Sequence, residues 1–318
     1  MVAHRIKALV LGGYGAVGSR IVSLLRADGQ LAWSAGRDAA RADRVVDLGE
    51  PDGGSLRAAL ADVDVVVNAA GVEDPDLVQL VTGRGAAFVD ITASARYVAA
   101  LEQLDLPRPV LVSVGLAPGL TNLLAVAVHA AEPGPVDLAV LLGAGERHGA
   151  AGVSWTYGLL GRRFPETGTG APVRNFTQPR RFDLPRYGRR RLYRADFSDQ
   201  HVLTRDLGVP VRTWFGLDSR LATAALALLT WIPGASRAPR GVHLPGSDRW
   251  VVLAGGDRGV RYWATGRLQS HATAVVAGHA AVLIPALMPG VHHLHRVLTL
   301  ADLPAGRGIH VASERDQA

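Results

Sequence analysis

Gly12-Gly13-Tyr14-Gly15-Ala16-Val17-Gly18 follows the apolar run Ile6 to Leu11 and opens a helical pattern from Ser19 to Ala27. Gly13, Gly15 and Gly18 fill the three glycine positions of a dinucleotide fingerprint. Each position has its own physical reason. The first glycine makes a tight strand-to-helix turn, the second lets backbone approach a pyrophosphate, and the third lets helix pack closely on strand. The free N–H groups of the helix start face the phosphates. Gly13, Tyr14, Gly15, Ala16 and Val17 are therefore the expected phosphate-side contacts. The alternative is a glycine-rich turn with no ligand.

Outward from this loop, residues 1 to about 115 alternate strand and helix patterns with short connections, which predicts a parallel sheet covered on both faces. Strands are expected at Ile6–Leu11, Leu31–Ala35, Arg44–Leu48, Val63–Val67, Ala87–Ile91 and Val110–Val114. The second ends in Gly36-Arg37-Asp38, where the cofactor is chosen. An acidic residue here binds a ribose 2′-hydroxyl, whereas a nearby Arg accommodates a 2′-phosphate. Gly36 leaves room and Arg37 offers a charged fork, so NADP(H) is expected. Asp38 is read as the cap of a following short helix, with ribose binding as its alternative. Asp47 is a candidate for the adenine edge. Asn68, Ala69, Ala70 and Gly71 follow the fourth strand, and their small size lets backbone lie against the cofactor.

Gly115 to Asn122 leads into the apolar helix Leu123 to Ala131, whose first N–H groups would face an anion or carbonyl at the mouth of the cofactor crevice. A Pro-Gly turn joining two domains is the plainer reading. From Val136 the pattern changes to strand-like pieces at Val136–Leu142, Leu192–Phe197, Val209–Phe215, Trp250–Leu253 and Val260–Thr265. Gly255-Gly256-Asp257-Arg258-Gly259 joins the last two as a hairpin signal. The expected fold is α/β, a Rossmann-type doubly wound parallel sheet with a second, mainly antiparallel α+β domain inserted before the C-terminal helix. The expected boundaries are 1–120 with 270–318 for the dinucleotide domain and 121–269 for a substrate-binding and dimerisation domain. The tail through Gly308-Ile309-His310-Val311 is expected to return to the first domain.

Composition narrows the chemistry. The 318 residues are long enough for two domains, and 48% apolar with 19% charged residues describes a core-forming chain. There is no cysteine, which removes disulfides, zinc–thiolate sites and the acyl-enzyme route through a Cys nucleophile. Lys7 is the only lysine, so the Tyr-x-x-x-Lys pair of short-chain reductases is excluded. Met1 to Lys7 leads straight into a short apolar run, so no secretory signal is expected and a cytoplasmic location is. Ala272 to Leu287 is broken by His279 and Pro285 and is too short to span a bilayer comfortably. The net charge of +6 is modest, and Arg180-Arg181 with Arg186 to Arg194 reads as solvated strand faces or an anion contact rather than a nucleic-acid surface.

Taken together, GGYGAVGS, AGRD, DVVVNAAG, FVDITA and GLAPGLTNLLA, followed by Pro289-Gly290-Val291-His292 and Gly308-Ile309-His310-Val311, resemble the saccharopine dehydrogenase-like oxidoreductases. The likeness covers most of 1–125 and 270–311. It implies an NADP(H)-dependent enzyme acting on a C–N bond, such as an imine or secondary amine, or on a related carbonyl. It also implies a small-molecule substrate of the amino acid derivative kind and a homodimer formed through the middle sheet. The alternatives are a short-chain-reductase-like carbonyl reductase without the Tyr/Lys pair, and a regulator that binds NADP(H) without turnover.

Hydride transfer needs the substrate carbon held against the nicotinamide and a donor for the charge that develops on N or O. Tyr97, Tyr157 and His129 are the candidate donors. Ser154, Trp155 and Thr156 begin a helix after a glycine-rich loop, where a substrate carboxylate would sit or a plain N-cap would serve. Arg191 and Arg194, with Tyr193, are candidates for clamping a carboxylate. His292, His293 and His295 have the look of a metal cluster, but without a carboxylate at matched spacing they read as a surface loop and no metal is expected.

Overall fold

A computed structural model describes residues 5–92, 94–146, 155–237 and 246–315. The chain divides into two compact units, Met1–Gly115 with Thr273–Leu298, and Leu116–Ala272 with Thr299–Ala318.

The first stretch runs β1 (Lys7–Leu11), α1 (Gly18–Ala27), β2 (Leu31–Gly36), β3 (Arg44–Val45), α2 (Gly54–Ala59), β4 (Val65–Asn68), α3 (Pro75–Gly83), β5 (Ala87–Asp90), α4 (Ala95–Leu101) and β6 (Pro109–Val112). Every residue of β4, β5 and β6 is buried. Helices on both faces leave a parallel strand no wet side, which is why these strands read as unbroken apolar runs rather than alternating ones. Asp74 starts α3 by accepting from the Asp76 N–H, with Pro75 at the first helical position.

The second stretch runs α5 (Thr121–Ala131), β7 (Val136–Leu142), β8 (Arg163–Pro165), β9 (Pro172–Arg174), β10 (Arg180–Leu184), β11 (Gly188–Arg194), α6 (Ser198–Leu207), β12 (Val211–Leu217), α7 (Arg220–Leu229), β13 (Arg249–Gly255) and β14 (Val260–Arg267). Then come α8 (Gln269–Leu283), β15 (Gly290–His293), α9 (Leu294–Val297) and β16 (Ile309–Arg315). The Glu146 carboxylate caps α8, accepting from the Gln269 N–H at 2.6 Å and the Ser270 N–H at 3.1 Å.

In the first unit the sheet order is β15-β6-β5-β4-β1-β2-β3, with every pairing parallel. The order reverses at β1, which lies between β4 and β2. Ligands of doubly wound sheets bind at the carboxyl ends of the strands beside such a reversal. Leu11 at the end of β1 pairs with Ala35 on one side and Asn68 on the other. The turns after β1, β2 and β4 therefore share one edge.

The sheet of the second unit has the order β10-β11-β12-β7-β13-β14-β16, with only β12–β7 parallel. Alternation along β7 sends Leu138 and Val140 to one face and Ala139 and Leu141 to the other. The first face packs on Leu124, Ala125 and Val128 of α5. The second face, which includes Trp214 and Leu253, is covered by Phe182, Leu184 and Leu192 of the β10–β11 hairpin. That hairpin can reach over the sheet because β11 pairs with β12 only through Tyr193 and Arg194.

Two expectations change. The tail does not rejoin the dinucleotide unit: β16 pairs antiparallel with β14, Ile309 opposite Gly266 and Arg315 opposite Val260. An isolated short strand carries no mark of which sheet it will complete. The segment read as a surface loop at His292 and His293 is instead β15, the seventh strand of the first sheet, and His293 is buried.

Candidate dinucleotide site

The glycine loop is locked by its surroundings. Gly12 has φ +69°, and a Cβ there would lie 2.8 Å from the Ala69 carbonyl oxygen. The Gly13 N–H donates to the Ala35 oxygen at 3.1 Å, and a Cβ would meet Ser34 Cα at 2.5 Å. At Gly18 the added carbon would fall 2.2 Å from the Gly12 oxygen. Gly15 is different, because its nearest neighbour, at 3.1 Å, is only that same Gly12 oxygen. No side chain caps α1, and the N–H groups of Ala16 and Val17 meet no acceptor among the described residues. Uncapped donors at a helix start with a glycine before them form an anion cradle.

At the end of β2 the room beside Gly36 is filled. A Cβ at Gly36 would lie 2.4 Å from Tyr14 Cε1, so the ring, rather than empty space, accounts for this glycine. Arg41 stacks over the Tyr14 ring at 4.3 Å and donates to the Tyr14 carbonyl at 3.2 Å. Arg37 is exposed and has no ion pair or hydrogen bond among the described residues. Asp38 accepts from the Ala40 N–H at 3.0 Å, capping a turn rather than the expected helix. Asp47 accepts from the Gly49 N–H at 3.0 Å, which commits one of its oxygens to a turn. The sequence reading missed Arg41; its position one helical turn after Arg37 was the available signal.

Asn68 is fully buried and shapes the loop rather than facing it. It donates to the Val72 carbonyl at 2.8 Å and to Asp90 at 3.0 Å, and accepts from the Ala70 N–H at 3.2 Å. These bonds hold Ala69, Ala70 and Gly71 at the sheet edge, with Gly71 at φ +72°. Asp90 also accepts from the Tyr97 hydroxyl at 2.9 Å and the Thr92 N–H at 2.8 Å. Burial pushes the Asp90 carboxyl above its ordinary range, against these hydrogen bonds.

The three expected proton donors have different surroundings. Tyr97 is 4% exposed, and burial, followed by the Asp90 charge, pushes its hydroxyl far above its ordinary pKa. It is a structural donor. His129 lies in the last turn of α5, eight residues beyond Thr121 and so about 12 Å along the axis. Its Nδ1 sits 3.3 Å from the Gly134 oxygen. Tyr157 packs against the core of the second unit.

The substrate candidates separate in the same way. Trp155 makes an edge contact with Phe197 at 4.7 Å. Thr156 follows it in the same helical turn, and Ser154 lies outside the described residues. Arg191 and Arg194 cannot form one clamp. Their odd spacing on β11 sends them to opposite faces: Arg191 is exposed and Arg194 is 2% exposed. Arg194 donates to Glu166 at 2.6 Å and Gln200 at 3.1 Å. At the head of α5 no side chain caps the helix; Asn122 accepts from the preceding Gly119 N–H at 2.8 Å, and the Thr121 hydroxyl donates to Asp199 at 2.9 Å.

Two buried polar groupings escaped the sequence reading. Asp199 accepts from Thr121, Thr213 and the Gln200 N–H. His293 joins Ser113, at 3.2 Å, to Glu102, at 2.6 Å. Their members lie far apart in sequence, so no local motif announces them. Among the described residues no group of three or more His, Cys, Asp or Glu could hold a metal ion. Nor is any helix there long and apolar enough to cross a membrane.

With this geometry in hand, the comparison with known proteins adds one result. The fold is Rossmann-type. A solved structure of a mutant meso-DAP dehydrogenase from Clostridium tetani, with DAP, is similar over 95% of this chain and 97% of its own, with 14% identity and a TM-score of 0.51. Aspartate semialdehyde dehydrogenase II from Vibrio cholerae, complexed with ASA, aligns over 83% of this chain and 75% of its own, at 10% identity and a TM-score of 0.38. No protein-family model and no curated protein matches the chain.

Proposed function

We propose that the protein is a pyridine-nucleotide-dependent oxidoreductase of the saccharopine dehydrogenase-like type. It binds its dinucleotide along the glycine loop, prefers NADP(H), and transfers hydride to or from a C–N bond or a related carbonyl of an amino acid derivative. The observation that carries this reading is the loop: three glycines that tolerate no Cβ, a fourth crowded only by the Gly12 oxygen, and two N–H groups at an uncapped helix start that meet no acceptor among the described residues. The preference for NADP(H) rests on Arg37, whose guanidinium has no partner among the described residues and lies beside the end of β2, where Rossmann-type sheets read a 2′-phosphate. The bound cofactor supplies the hydride; the chain's residues hold the pyrophosphate and the ribose. The homodimer belongs to this reading too, although the β10–β11 hairpin already covers one face of the middle sheet.

Calorimetry with NADPH and NADH tests the cofactor, and hydride transfer across a panel of imine, secondary amine and carbonyl pairs tests the chemistry. Failure to bind either dinucleotide overturns the proposal. Binding without turnover over a broad panel favours the regulator. Light scattering should give about twice the 33.5 kDa chain mass, and a clean monomer removes the dimer.

A further inference from the structure

The outer side of α7 is apolar where a surface helix should be polar. Its inner face, with Ala222, Thr223 and Leu226, is buried in the second unit. Its exposed positions are Arg220, Leu221, Ala224 and Leu228. The winding continues past the helix end, because the Trp231 N–H donates to the Leu228 oxygen at 3.1 Å and the Ile232 N–H to the Leu229 oxygen at 3.0 Å. Leu221 and Leu228 lie two turns apart, about 10 Å along one side, and Trp231 follows one turn on. Leu221, Leu228, Trp231 and Ile232 are between 55% and 85% exposed. A helix apolar on all sides belongs in a core. Apolar side chains grouped on an outer face mark an interaction site.

The rim of this stripe is basic. The Arg174 guanidinium stacks over the Trp231 ring at 4.6 Å and donates to the Thr230 carbonyl at 3.3 Å. Arg163 stands directly opposite Arg174 across β8 and β9, so both leave the face of that ribbon away from the buried Phe164 and Val173. The Gly161 N–H donates to the Thr230 hydroxyl at 3.0 Å, which ties Arg162 to the same end of the helix. Arg220 opens the other end. Arg162, Arg163 and Arg220 are exposed and have no carboxylate partner among the described residues. Neither 147–165 nor 219–247, the stretches that carry them, contains an acid. The acids that bound these stretches are engaged elsewhere. Glu146 caps α8, Glu166 holds Arg194 and Arg212, Asp218 accepts from the Ala144 and Ser247 N–H groups, and Asp248 pairs with Arg267.

We infer that this stripe docks the protein on the surface of an anionic lipid bilayer. A helix that lies on a bilayer sinks its apolar side chains to the headgroup boundary, where Trp is also favoured, while arginines at its rim meet anionic headgroups. A second copy of the chain is the competing occupant. A two-fold contact sets one patch against itself. Here that would set arginine rim on arginine rim with no acid to answer, and like charges brought together across an interface cost affinity. An anionic bilayer satisfies the apolar stripe and the rim at once. This inference stands apart from the dinucleotide reading and does not rest on it.

The test is co-sedimentation of the full chain with vesicles of phosphatidylcholine plus phosphatidylglycerol, and with vesicles of phosphatidylcholine alone. The chain should bind the anionic vesicles, and the neutral ones at least about tenfold more weakly. Leu228→Ser with Trp231→Ser, and separately Arg163→Gln with Arg220→Gln, should each weaken binding to anionic vesicles by at least about tenfold. All four side chains are exposed, and circular dichroism verifies that the fold persists. Light scattering should give the Leu228→Ser, Trp231→Ser chain the same mass as its parent. The inference is overturned if the chain stays in solution with anionic vesicles, if both kinds of vesicle bind alike, or if either pair of substitutions leaves binding unchanged. It is also overturned if losing the apolar pair lowers the mass, which would make the stripe an interface between copies.

Discussion

The Tyr14 ring occupies the place of the side chain that Gly36 lacks, with Cε1 2.4 Å from where that Cβ would be. Gly36→Asp, which installs an acceptor for a ribose 2′-hydroxyl, must therefore displace the ring. It should cost about 1–3 kcal/mol of stability and bring no gain in NADH binding. Adding Tyr14→Ala should recover much of that loss. Additive effects in the double-mutant cycle, measured by denaturant unfolding, would mean that the two positions do not compete for space.

Arg37, exposed at the same edge, has no ion pair or hydrogen bond among the described residues. Arg37→Ala should weaken NADPH binding by about 1.5–3 kcal/mol, in line with the loss of a charge-assisted hydrogen bond, and leave NADH nearly unchanged. Equal losses for the two cofactors would remove Arg37 from the 2′-phosphate.

The Tyr97 hydroxyl serves the buried Asp90 carboxyl. Tyr97→Phe should lower stability by about 1–3 kcal/mol because it leaves a buried acceptor short of one donor. NADPH affinity, measured on the same preparation, should stay where it was. A stable variant that fails in turnover would restore Tyr97 as a chemical participant.

The dinucleotide half was legible in the sequence because its constraints are local. Buried parallel strands read as apolar runs, and the glycine spacing declares its turn locally even though Ala69 and Ser34 are what crowd Gly12 and Gly13. Long-range relations were not legible. His293 reads as part of a loop until β6 is placed beside it, and the ending Ile309–Arg315 names no partner strand. Arg191 and Arg194 are the instructive failure. Their odd spacing, read with strand alternation, already placed them on opposite faces.

Those two arginines should behave oppositely. Glu166 pairs with both Arg194 and Arg212. Glu166→Ala strands the buried Arg194 guanidinium and should cost about 3–5 kcal/mol. Arg191→Ala should change stability by no more than about 0.5 kcal/mol. Similar losses in thermal unfolding would contradict the assignment of faces.

Burial raises the Asp199 carboxyl above its ordinary range, against hydrogen bonds from Thr213, Thr121 and Gln200. A carboxyl with a higher pKa folded than unfolded takes up a proton on folding. Its stabilising contribution is complete below the unfolded value of about 3.9 and is lost as pH rises through the folded value. Asp199→Asn keeps an acceptor for Thr213 and lets the Thr121 hydroxyl turn to accept. The variant should therefore gain stability relative to the parent as pH rises from acid to neutral. A constant difference across that range would mean that Asp199 does not titrate on folding.

Each sheet owes a strand to the segment 290–315: β15 completes one and β16 the other. During synthesis, neither sheet can close until that segment has left the ribosome, although most of both has already emerged. The exposed borders of β6 and β14 must wait together for it, and unpaired strand borders are where nascent chains associate wrongly. A ribosomal pause just before residue 290 should therefore lower the soluble yield more than one placed at 116, where no sheet of the second unit has yet begun.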